Sequence, residues 1–183
     1  IDKLKDQPGR KIIWILWAGA GNPFKIADMD LKRHGIEIAT GGNILPAMVA
    51  YNQFPGMEGA TYYYYGFSRN QANLWLVTNH YIKHKSPPDF FTAGGFSSAM
   101  ALVTALKSTG GDTHTQRLIK TMEGMSFDTP KGTMTFRRED HQALQSMYHF
   151  RVAPGARPGT MADLYLVREI KPHDMDLPIR NRR

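Results

Sequence analysis

The sequence contains no cysteine among its 183 residues. Disulfide bonds, thiolate metal sites and a cysteine nucleophile are therefore excluded for this chain. The absence is compatible with an oxidising compartment, where a free thiol is a liability, but it does not prove one. The sequence also lacks a run of about eighteen apolar residues, so we expect no membrane-spanning segment. Because it begins at Ile1 and shows no signal peptide, we interpret it as a processed or truncated piece of a longer product.

Motifs for cofactor binding and nucleophilic catalysis are incomplete. Gly19 and Gly21 stand between a predicted strand and a predicted helix, but Phe24 occupies the place of the third glycine of a dinucleotide fingerprint. This weakens a phosphate-binding interpretation, although a loop of this kind is still where open α/β sheets bind ligands. No Gly-x-Ser-x-Gly elbow occurs, and no base can be assigned to Ser97 or Ser98. We therefore expect no catalytic residues, no cofactor and no enzyme activity.

The histidines do not show a metal-binding pattern. His80 and His84 are four residues apart on a predicted helix, but neither a third ligand nor an adjacent glutamate is present. His141 and His149 lack metal-ligand spacing as well. Surface histidines are the favoured interpretation, and we expect no metal site.

Basic residues outnumber acidic ones, with 23 Lys and Arg against 16 Asp and Glu and a formal net charge of +7. Such an excess is compatible with a nucleic-acid or anionic-membrane partner. The basic residues do not cluster on a predicted helix face, which favours a basic soluble protein with scattered charges. We expect no nucleic-acid partner.

Strand and helix signals alternate along the chain, which predicts the α/β class. Strands are predicted at residues 11–18, 36–39, 59–65, 133–136, 144–152 and 164–170. Helices are predicted at residues 23–34, 43–51, 70–85, 86–110 and 113–124, with Asn43, Ser86 and Thr113 as N-caps. The first strand is apolar on both faces, as in a central parallel strand, and residues 129–132 predict a type I turn.

Four consecutive tyrosines, Tyr62 to Tyr65, are the most unusual local feature. One interpretation is a strand that packs aromatic rings on both faces. The other is that Tyr64 or Tyr65 lies at a strand end and lines an aromatic pocket for a small organic solute. The residues leave both interpretations open.

Several segments in order resemble a known family. They are residues 17–23 (WAGAGNP), 56–66 (GMEGATYYYYG), 87–96 (PPDFFTAGGF), 122–132 (MEGMSFDTPKG) and 139–143 (EDHQA). Together they are similar to the branched-chain amino-acid (Leu/Ile/Val) binding proteins of bacterial ABC importers, which have the type I periplasmic binding fold. The resemblance covers about residues 11–152.

The resemblance implies two Rossmann-like three-layer lobes joined by three crossovers, only partly present in this chain. Residues 1–64 would form the end of lobe 2, residues 65–68 a crossover, residues 69–128 a helical part of lobe 1, and residues 129–183 the third crossover strands and the C-terminal tail. Tyr64, Tyr65 and Gly66 would form a hinge. The N-terminal strands of lobe 1 are missing, so we expect exposed apolar surface and a partner that covers it: the missing N-terminal half or a second copy of this chain.

The family's ligand-binding loops match two strand ends and the tyrosine run. The implied ligand-binding residues are Trp17, Ala18, Gly19, Ala20, Gly21, Gly41, Gly42, Asn43 and Tyr65. Amino-acid-binding members carry an acidic residue for the substrate ammonium at the place where this chain reads Gly-Gly-Asn-Ile, residues 41–44. Burial of an ammonium without an anion costs on the order of several kcal/mol. The departure favours a small aromatic or aliphatic carboxylate, unless the missing half supplies the acid.

The function implied is that of a periplasmic or membrane-tethered solute-binding component that passes its solute to an ABC permease. Solute would dock on one lobe, and hinge closure would trap it. A regulatory sensor of the same fold is the first alternative, and an enzyme on a Rossmann-like sheet the second.

Overall fold

The structure is a computed structural model that describes residues 1–17, 23–42, 44–180 and 182. The α-helices are α1 (Asp2–Lys5), α2 (Leu45–Met48), α3 (Gln71–His84), α4 (Phe90–Ser108) and α5 (Thr115–Met122). The strands are β1 (Lys11–Ile15), β2 (Ile36–Gly41), β3 (Glu58–Thr61), β4 (Ser126–Thr129), β5 (Gly132–Phe136), β6 (Ala143–Leu144), β7 (Met147–Val152) and β8 (Leu164–Ile170). Short 3-10 helices occupy Pro23–Met29, Leu31–His34, Val49–Gln53 and Pro172–Asp174.

The strands form a five-stranded sheet of order β1-β2-β3-β7-β8 and a three-stranded sheet of order β4-β5-β6. β1, β2 and β3 run parallel, whereas β7 is antiparallel to β3. The predicted α/β class is confirmed.

The chain divides into two compact units. The first unit comprises Ile1–Thr61 and Tyr148–Arg168, and the second comprises Tyr62–Met147 and Glu169–Arg183. The chain therefore passes from one unit to the other at three points: after Thr61, after Met147 and after Arg168. The assignment of residue ranges to lobes and crossovers stays a prediction, because it refers to a whole two-lobed protein.

The core of the first unit includes Phe150 of β7 and Tyr51 of the 3-10 segment Val49–Gln53, whose rings pack against each other. Phe150 is completely buried, and its ring stacks on that of Tyr51 with centroids 6.2 Å apart. Gly59 of β3 permits this packing, since a Cβ atom there would lie 2.6 Å from the Phe150 ring. The side-chain amide of buried Asn52 bonds to the backbone of residues 157–161 and so anchors the loop before β8.

Residues 11–18 do not form the central, doubly buried strand that the sequence predicts. β1 ends at Ile15, and it occupies an edge of the five-stranded sheet. The side chains of Ile12 and Trp14 are 41% and 52% exposed. An apolar run is typical of a strand covered on both faces, but among the described residues no element covers this face.

The two predicted helices of the first unit are shorter and tighter than expected. Residues 23–34 form two 3-10 segments, because Asp30 between them adopts a left-handed conformation with φ 51°. Residues 45–53 form α2 and a further 3-10 segment, so the α-helix predicted through Tyr51 is wrong in type beyond Met48. The predicted cap Asn43 lies outside the described residues.

The helices of the second unit lie close to their predicted positions. Asn70 caps α3 by accepting a 2.8 Å bond from the Asn73 N–H, and Lys85 ends the helix in a left-handed conformation. The predicted cap of α4 is wrong by three residues, since Asp89 and not Ser86 accepts the bond from the Thr92 N–H. A carboxylate is a better acceptor for the orphan amides of a first turn than a hydroxyl, and the two prolines after Ser86 offer no N–H.

The buried face of α4 carries small side chains and contacts β4; its members are Ala93, Ser97, Ala101 and Ala105. The other face exposes Phe91 (68%), Leu102 (47%) and Val103 (43%). By length and composition α4 could cross a membrane: its mean hydropathy is 1.2, and 22% of its 18-residue apolar stretch is buried in the protein. One such helix is weak evidence, because core helices of soluble proteins pass the same test.

The three-stranded sheet of the second unit is a hairpin of β4 and β5 with β6 at its edge. Thr129 pairs with Gly132, so Pro130 and Lys131 form the two-residue turn that the sequence predicts. Arg137 forms a close ion pair with Asp140 at 2.6 Å and donates a 2.6 Å bond to the Leu177 carbonyl. The C-terminal segment is therefore held to β5 through one side chain.

Candidate ligand-binding site

The predicted ligand loops follow two adjacent parallel strands of the first unit. In the register, Ile15 of β1 lies opposite Thr40 of β2. The residues that follow, Leu16 and Trp17 after β1 and Gly41 and Gly42 at the end of β2, therefore come to the same edge of the sheet. A Cβ at Gly41 would lie 3.0 Å from Leu16 Cδ2, which shows how close the two strand ends are. Carboxyl ends of parallel strands are the usual ligand-binding edge of an open α/β sheet.

Two hydroxyl groups fix this edge from inside the protein. Thr40 Oγ1 lies 3.1 Å from the Ile15 carbonyl and 3.1 Å from the Gly41 carbonyl. The hydroxyl of buried Tyr51 donates a 2.9 Å bond to the same Gly41 carbonyl. Burial raises the pKa of Tyr51 above its ordinary value, so this hydroxyl stays protonated and remains a donor. The sequence did not indicate Thr40 or Tyr51, because side chains that support a loop carry no local motif.

Gly42 stands where only a glycine fits. Its N–H donates a 2.5 Å bond to the Ala60 carbonyl, so the backbone of residue 42 lies directly against the end of β3. A Cβ atom at this position would lie 2.8 Å from Thr61 Cα and would also collide with the Thr61 side chain. The close neighbour of the Gly42 backbone is therefore Thr61, and the contact of Gly42 with a ligand stays a prediction.

The residues that the structure describes at this edge supply binding groups and not acid–base chemistry. Trp17 is 49% exposed and offers an apolar surface, and Gly41 and Gly42 offer backbone polar groups. None of Leu16, Trp17, Gly41, Gly42 and Ile44 has an ionisable side chain. Predicted ligand residues Ala18, Gly19, Ala20, Gly21 and Asn43 lie outside the described residues.

The tyrosine run is not part of a strand. β3 ends at Thr61, the last residue that pairs with β7, and the strand predicted over residues 59–65 is wrong from Tyr62 onward. Tyr63 is 2% exposed, and its hydroxyl donates a 2.7 Å bond to Asn73 Oδ1. Asn73 in turn donates to the carbonyls of Tyr65 and Ser68. This segment therefore packs on the first turn of α3.

The predicted hinge residues Tyr64, Tyr65 and Gly66 all belong to the second unit. The Tyr64 ring contacts the rings of Tyr65 and Phe67 at centroid distances of 4.6 and 4.7 Å. Tyr64 is buried and Tyr65 is half-buried. Their roles as hinge and as ligand wall stay predictions.

Lys131 is a residue that the sequence did not single out. It lies in a predicted turn, where a lysine is ordinarily exposed, yet it is 4% exposed. Its Nζ donates a 2.8 Å bond to Gln145 Oε1 and lies 3.6 Å from the centroid of the Tyr62 ring. Burial lowers the pKa of Lys131 to about 7, against the attraction of the Glu169 carboxylate.

The histidines are engaged in local contacts. His80 Nδ1 bonds the Ser86 carbonyl at 2.7 Å, and the His80 and His84 rings are 4.6 Å apart. His149 Nε2 lies 2.9 Å from the Glu58 carboxylate, which also receives Arg151. Across the described ranges, no three His, Cys, Asp or Glu residues are placed to hold a metal ion.

The chain has the type I periplasmic binding fold, with the ends of the parallel strands β1 and β2 at the edge where open α/β sheets bind ligands. The model of the family described as periplasmic binding protein matches residues 25–157, and the chain belongs to this family. The description of this family is that of a binding protein of the periplasm. No curated protein matches the chain significantly.

Solved structures agree with this assignment. An ABC-type branched-chain amino acid transporter from Rhodopseudomonas palustris CGA009 is 60% identical with a TM-score of 0.90, and the match covers 100% of this chain and 49% of that one. A solute binding protein of an ABC transporter from Rhodopseudomonas palustris BisB5, in complex with 3,4-dihydroxybenzoic acid, is 20% identical with a TM-score of 0.65, covering 81% and 40%. A leucine-, isoleucine-, valine-, threonine- and alanine-binding protein from Brucella ovis is 17% identical with a TM-score of 0.70, covering 91% and 45%.

The last two similarities show the fold alone. This chain spans about half the length of the solved relatives it matches.

Proposed function

We propose that this chain is part of the extracytoplasmic solute-binding component of an ABC importer. It captures a small organic solute between two hinged lobes in the periplasm and delivers it to the membrane permease, without chemical conversion. The observation that carries the proposal is the 60% identity over the whole chain with an ABC-type branched-chain amino acid transporter. The edge formed by the ends of β1 and β2 supports it, because apolar surface and backbone polar groups without an ionisable side chain suit binding better than catalysis.

We propose a small aromatic or aliphatic carboxylate as the solute. A free amino acid brings an ammonium group, and the segment at the end of β2 reads Gly41, Gly42, Asn43 and Ile44, without an acid. The exposed ring of Trp17 offers a face on which an aromatic acid can stack. A branched-chain or related amino acid is the second candidate, favoured by the name of the 60% identical relative. In that case an acidic residue of the other half of the protein would pair with the ammonium.

Ligand-dependent thermal stabilisation of the complete protein distinguishes the two candidates. A solute at one hundred times its dissociation constant adds about 2.7 kcal/mol to the free energy of unfolding. We expect benzoate-type or short aliphatic carboxylates to raise the melting temperature and amino acids to leave it unchanged. Stabilisation by amino acids alone would establish the second candidate, and no stabilisation by either group would contradict the proposal.

Substitution of Trp17 locates the site. Trp17→Ala should weaken binding of an aromatic solute by about tenfold, which is the loss of one stacking contact of about 1.4 kcal/mol. Tyr165→Ala is the control, because Tyr165 on β8 of the first unit is 56% exposed and lies outside the predicted ligand residues. Equal effects of both substitutions on the dissociation constant would show that Trp17 does not contact the solute.

We also propose that the other half of the same protein covers the exposed apolar face of the second unit. This face is formed by residues of α3 and α4: Leu74, Trp75, Ile82, Phe91, Leu102 and Val103, which are 43–68% exposed. The isolated chain should therefore bind a hydrophobic dye and self-associate, and the complete protein should do neither. A monodisperse, dye-free monomer of the isolated chain would argue against this partner.

A further inference from the structure

The chain passes between the two units at three points, and each point has a neighbouring residue in the second unit. Tyr62 follows the first point directly, Gln145 and Ser146 precede the second by one or two residues, and Glu169 follows the third directly. These residues are far apart in sequence. Within the second unit, however, the side chain of Lys131 contacts the first two segments, and the carboxylate of Glu169 in the third attracts it electrostatically.

Lys131 makes a different interaction with each segment. Its Nζ lies over the Tyr62 ring at 3.6 Å from the centroid, a favourable cation–π geometry. It donates a 2.8 Å hydrogen bond to Gln145 Oε1. The Glu169 carboxylate of the third segment attracts it electrostatically. A buried polar network of this kind loses more than one contact when its central member is removed.

The backbone that carries Lys131 is fixed independently of these contacts. Lys131 lies in the turn of the β4–β5 hairpin, and its N–H donates a 3.1 Å bond to Thr129 Oγ1. Thr129 Oγ1 also donates to the Gly132 carbonyl at 2.7 Å. The Asn70 side-chain amide, at the N-terminus of α3, donates to the Thr129 and Pro130 carbonyls. The lysine side chain therefore extends from a rigid turn toward three segments that share no other common side chain among the contacts described.

We propose that Lys131 is a positioning residue that holds the first two of these connecting segments together where they leave the second unit. The proposal rests on the proposed function, in which these segments are the hinge of a two-lobed binding protein. With their second-unit ends held by one amine, bending during closure is confined to a short stretch of each segment. The energetic consequence is preorganisation, since fewer segment conformations are lost when the lobes close on solute.

Hydrogen exchange of the complete protein without solute tests this role whether or not the solute is known. Lys131→Met keeps the apolar stem and removes the amine. We expect exchange to accelerate by about tenfold at amides of residues 62–66 and 143–147 together, because each of these two segments loses a contact, with a smaller effect at residues 169–171. Amides in the middle of α3 and α4 should not change. Acceleration restricted to the turn at residues 129–132, or spread evenly over the protein, would overturn the proposal.

Two further variants sharpen the test. Lys171→Met is the matched control, because Lys171 contacts Glu169 at 2.6 Å but has a 49% exposed side chain, and it should affect only the third segment. Gln145→Ala removes the acceptor of the Lys131 hydrogen bond without placing a change in the turn. It should accelerate exchange in the first segment as well as in its own, and it keeps the test decisive if Lys131→Met does not fold. An effect limited to residues 143–147 would refute a shared contact.

Once a solute is known, Lys131→Met should weaken its binding by about tenfold although Lys131 is not a predicted ligand contact, and Lys131→Arg, which retains charge and donors, should recover part of the affinity. Unchanged affinity in Lys131→Met would overturn the hinge role. Absence of any solute would contradict the proposed function and would leave the exchange result as a separate finding.

Discussion

The two adjacent glycines at the end of β2 should respond differently to replacement by alanine: one substitution should lower the free energy of unfolding strongly and the other hardly at all. Gly41 and Gly42 are both predicted ligand-binding residues, and a comparison of Gly41→Ala with Gly42→Ala separates close packing from ligand contact. Among the described residues, a Cβ atom at Gly41 would meet only Leu16 Cδ2, at 3.0 Å, and Leu16 is 74% exposed and can change rotamer. At Gly42 a Cβ atom would meet the backbone of Thr61, which is 2% exposed and fixed in the sheet.

The size of the stability loss in Gly42→Ala follows from the distance by which the new Cβ atom must displace its neighbours. An ordinary Cβ contact begins near 3.4 Å, whereas the Cβ at position 42 would lie 2.8 Å from Thr61 Cα, so the strands must separate by 3.4 − 2.8 = 0.6 Å or more. Overpacking of this kind costs about 1–3 kcal/mol. The displacement also lengthens the bond from the Gly42 N–H to the Ala60 carbonyl, a loss of up to about 1 kcal/mol. We expect Gly42→Ala to lower the free energy of unfolding by about 2–4 kcal/mol and Gly41→Ala to change it by less than about 0.5 kcal/mol.

Urea unfolding of the complete protein, with hydrogen exchange of the amides of β2 and β3, measures the effect locally even if the lobes unfold separately. Adding Thr61→Ala to Gly42→Ala should restore less than half of the loss, because the side-chain collision disappears and the collision with the backbone remains. Equal losses in the two single variants, or a neutral Gly42→Ala, would refute the reasoning. If this edge binds solute, both single variants should also weaken the dissociation constant.

Three further substitutions test the packing and the ionic contacts. Phe150→Ala should cost about 3–5 kcal/mol of unfolding free energy in urea titrations, whereas Tyr165→Ala, at a 56% exposed position of β8, should cost less than about 0.5 kcal/mol; similar losses would be contrary to the assigned core. Asn70→Ala should cost about 1 kcal/mol through loss of the α3 cap and should accelerate exchange in the first turn of α3; unchanged exchange there would count against capping. Arg151, and to a lesser extent His149, hold the pKa of Glu58 below its ordinary value. Glu58→Gln should therefore cost up to about 1 kcal/mol at neutral pH, and its difference from the wild type should vanish as the pH falls through the folded-state pKa; a pH-independent difference would contradict this.

The elements that the sequence predicts well are those with local signals. α3, α4 and α5 follow a helical spacing of apolar side chains, a signal that acts within one or two turns of the chain. The predicted caps Ser86 and Thr113 are wrong, because Asp89 caps α4 and no side chain caps α5. The hairpin of β4 and β5 follows from a proline and a glycine at fixed positions in a turn. Such interactions are present in the segment itself, so the rest of the protein need not be known.

The segments that the sequence predicts poorly depend on their neighbours. Nothing in residues 11–15 shows that β1 lies at an edge of the sheet, because an apolar run looks the same in either place. Asp30 adopts a left-handed conformation that divides residues 23–34 into two 3-10 segments, and an aspartate is also common in helices. The common edge of Trp17, Gly41 and Gly42 was predictable because parallel strands align their ends. Buried Lys131 was not, because the residues that surround it are 14 to 69 positions away in sequence.

The tyrosine run shows why a strand predicted from alternating side chains can be wrong at a point where the chain passes from one unit to the other. Along one strand, alternate side chains share one environment, but Thr61 is the last residue of the first unit and Tyr62 is the first of the second. Each ring then meets a different neighbour: the Lys131 amine for Tyr62, Asn73 for Tyr63 and Phe67 for Tyr64. A tyrosine can satisfy all of these positions, since it combines a large apolar area with one polar group. Repetition of the residue type therefore reflects a series of unlike, half-polar surroundings at a connecting segment, and it is this segment that the amine of Lys131 helps to fix.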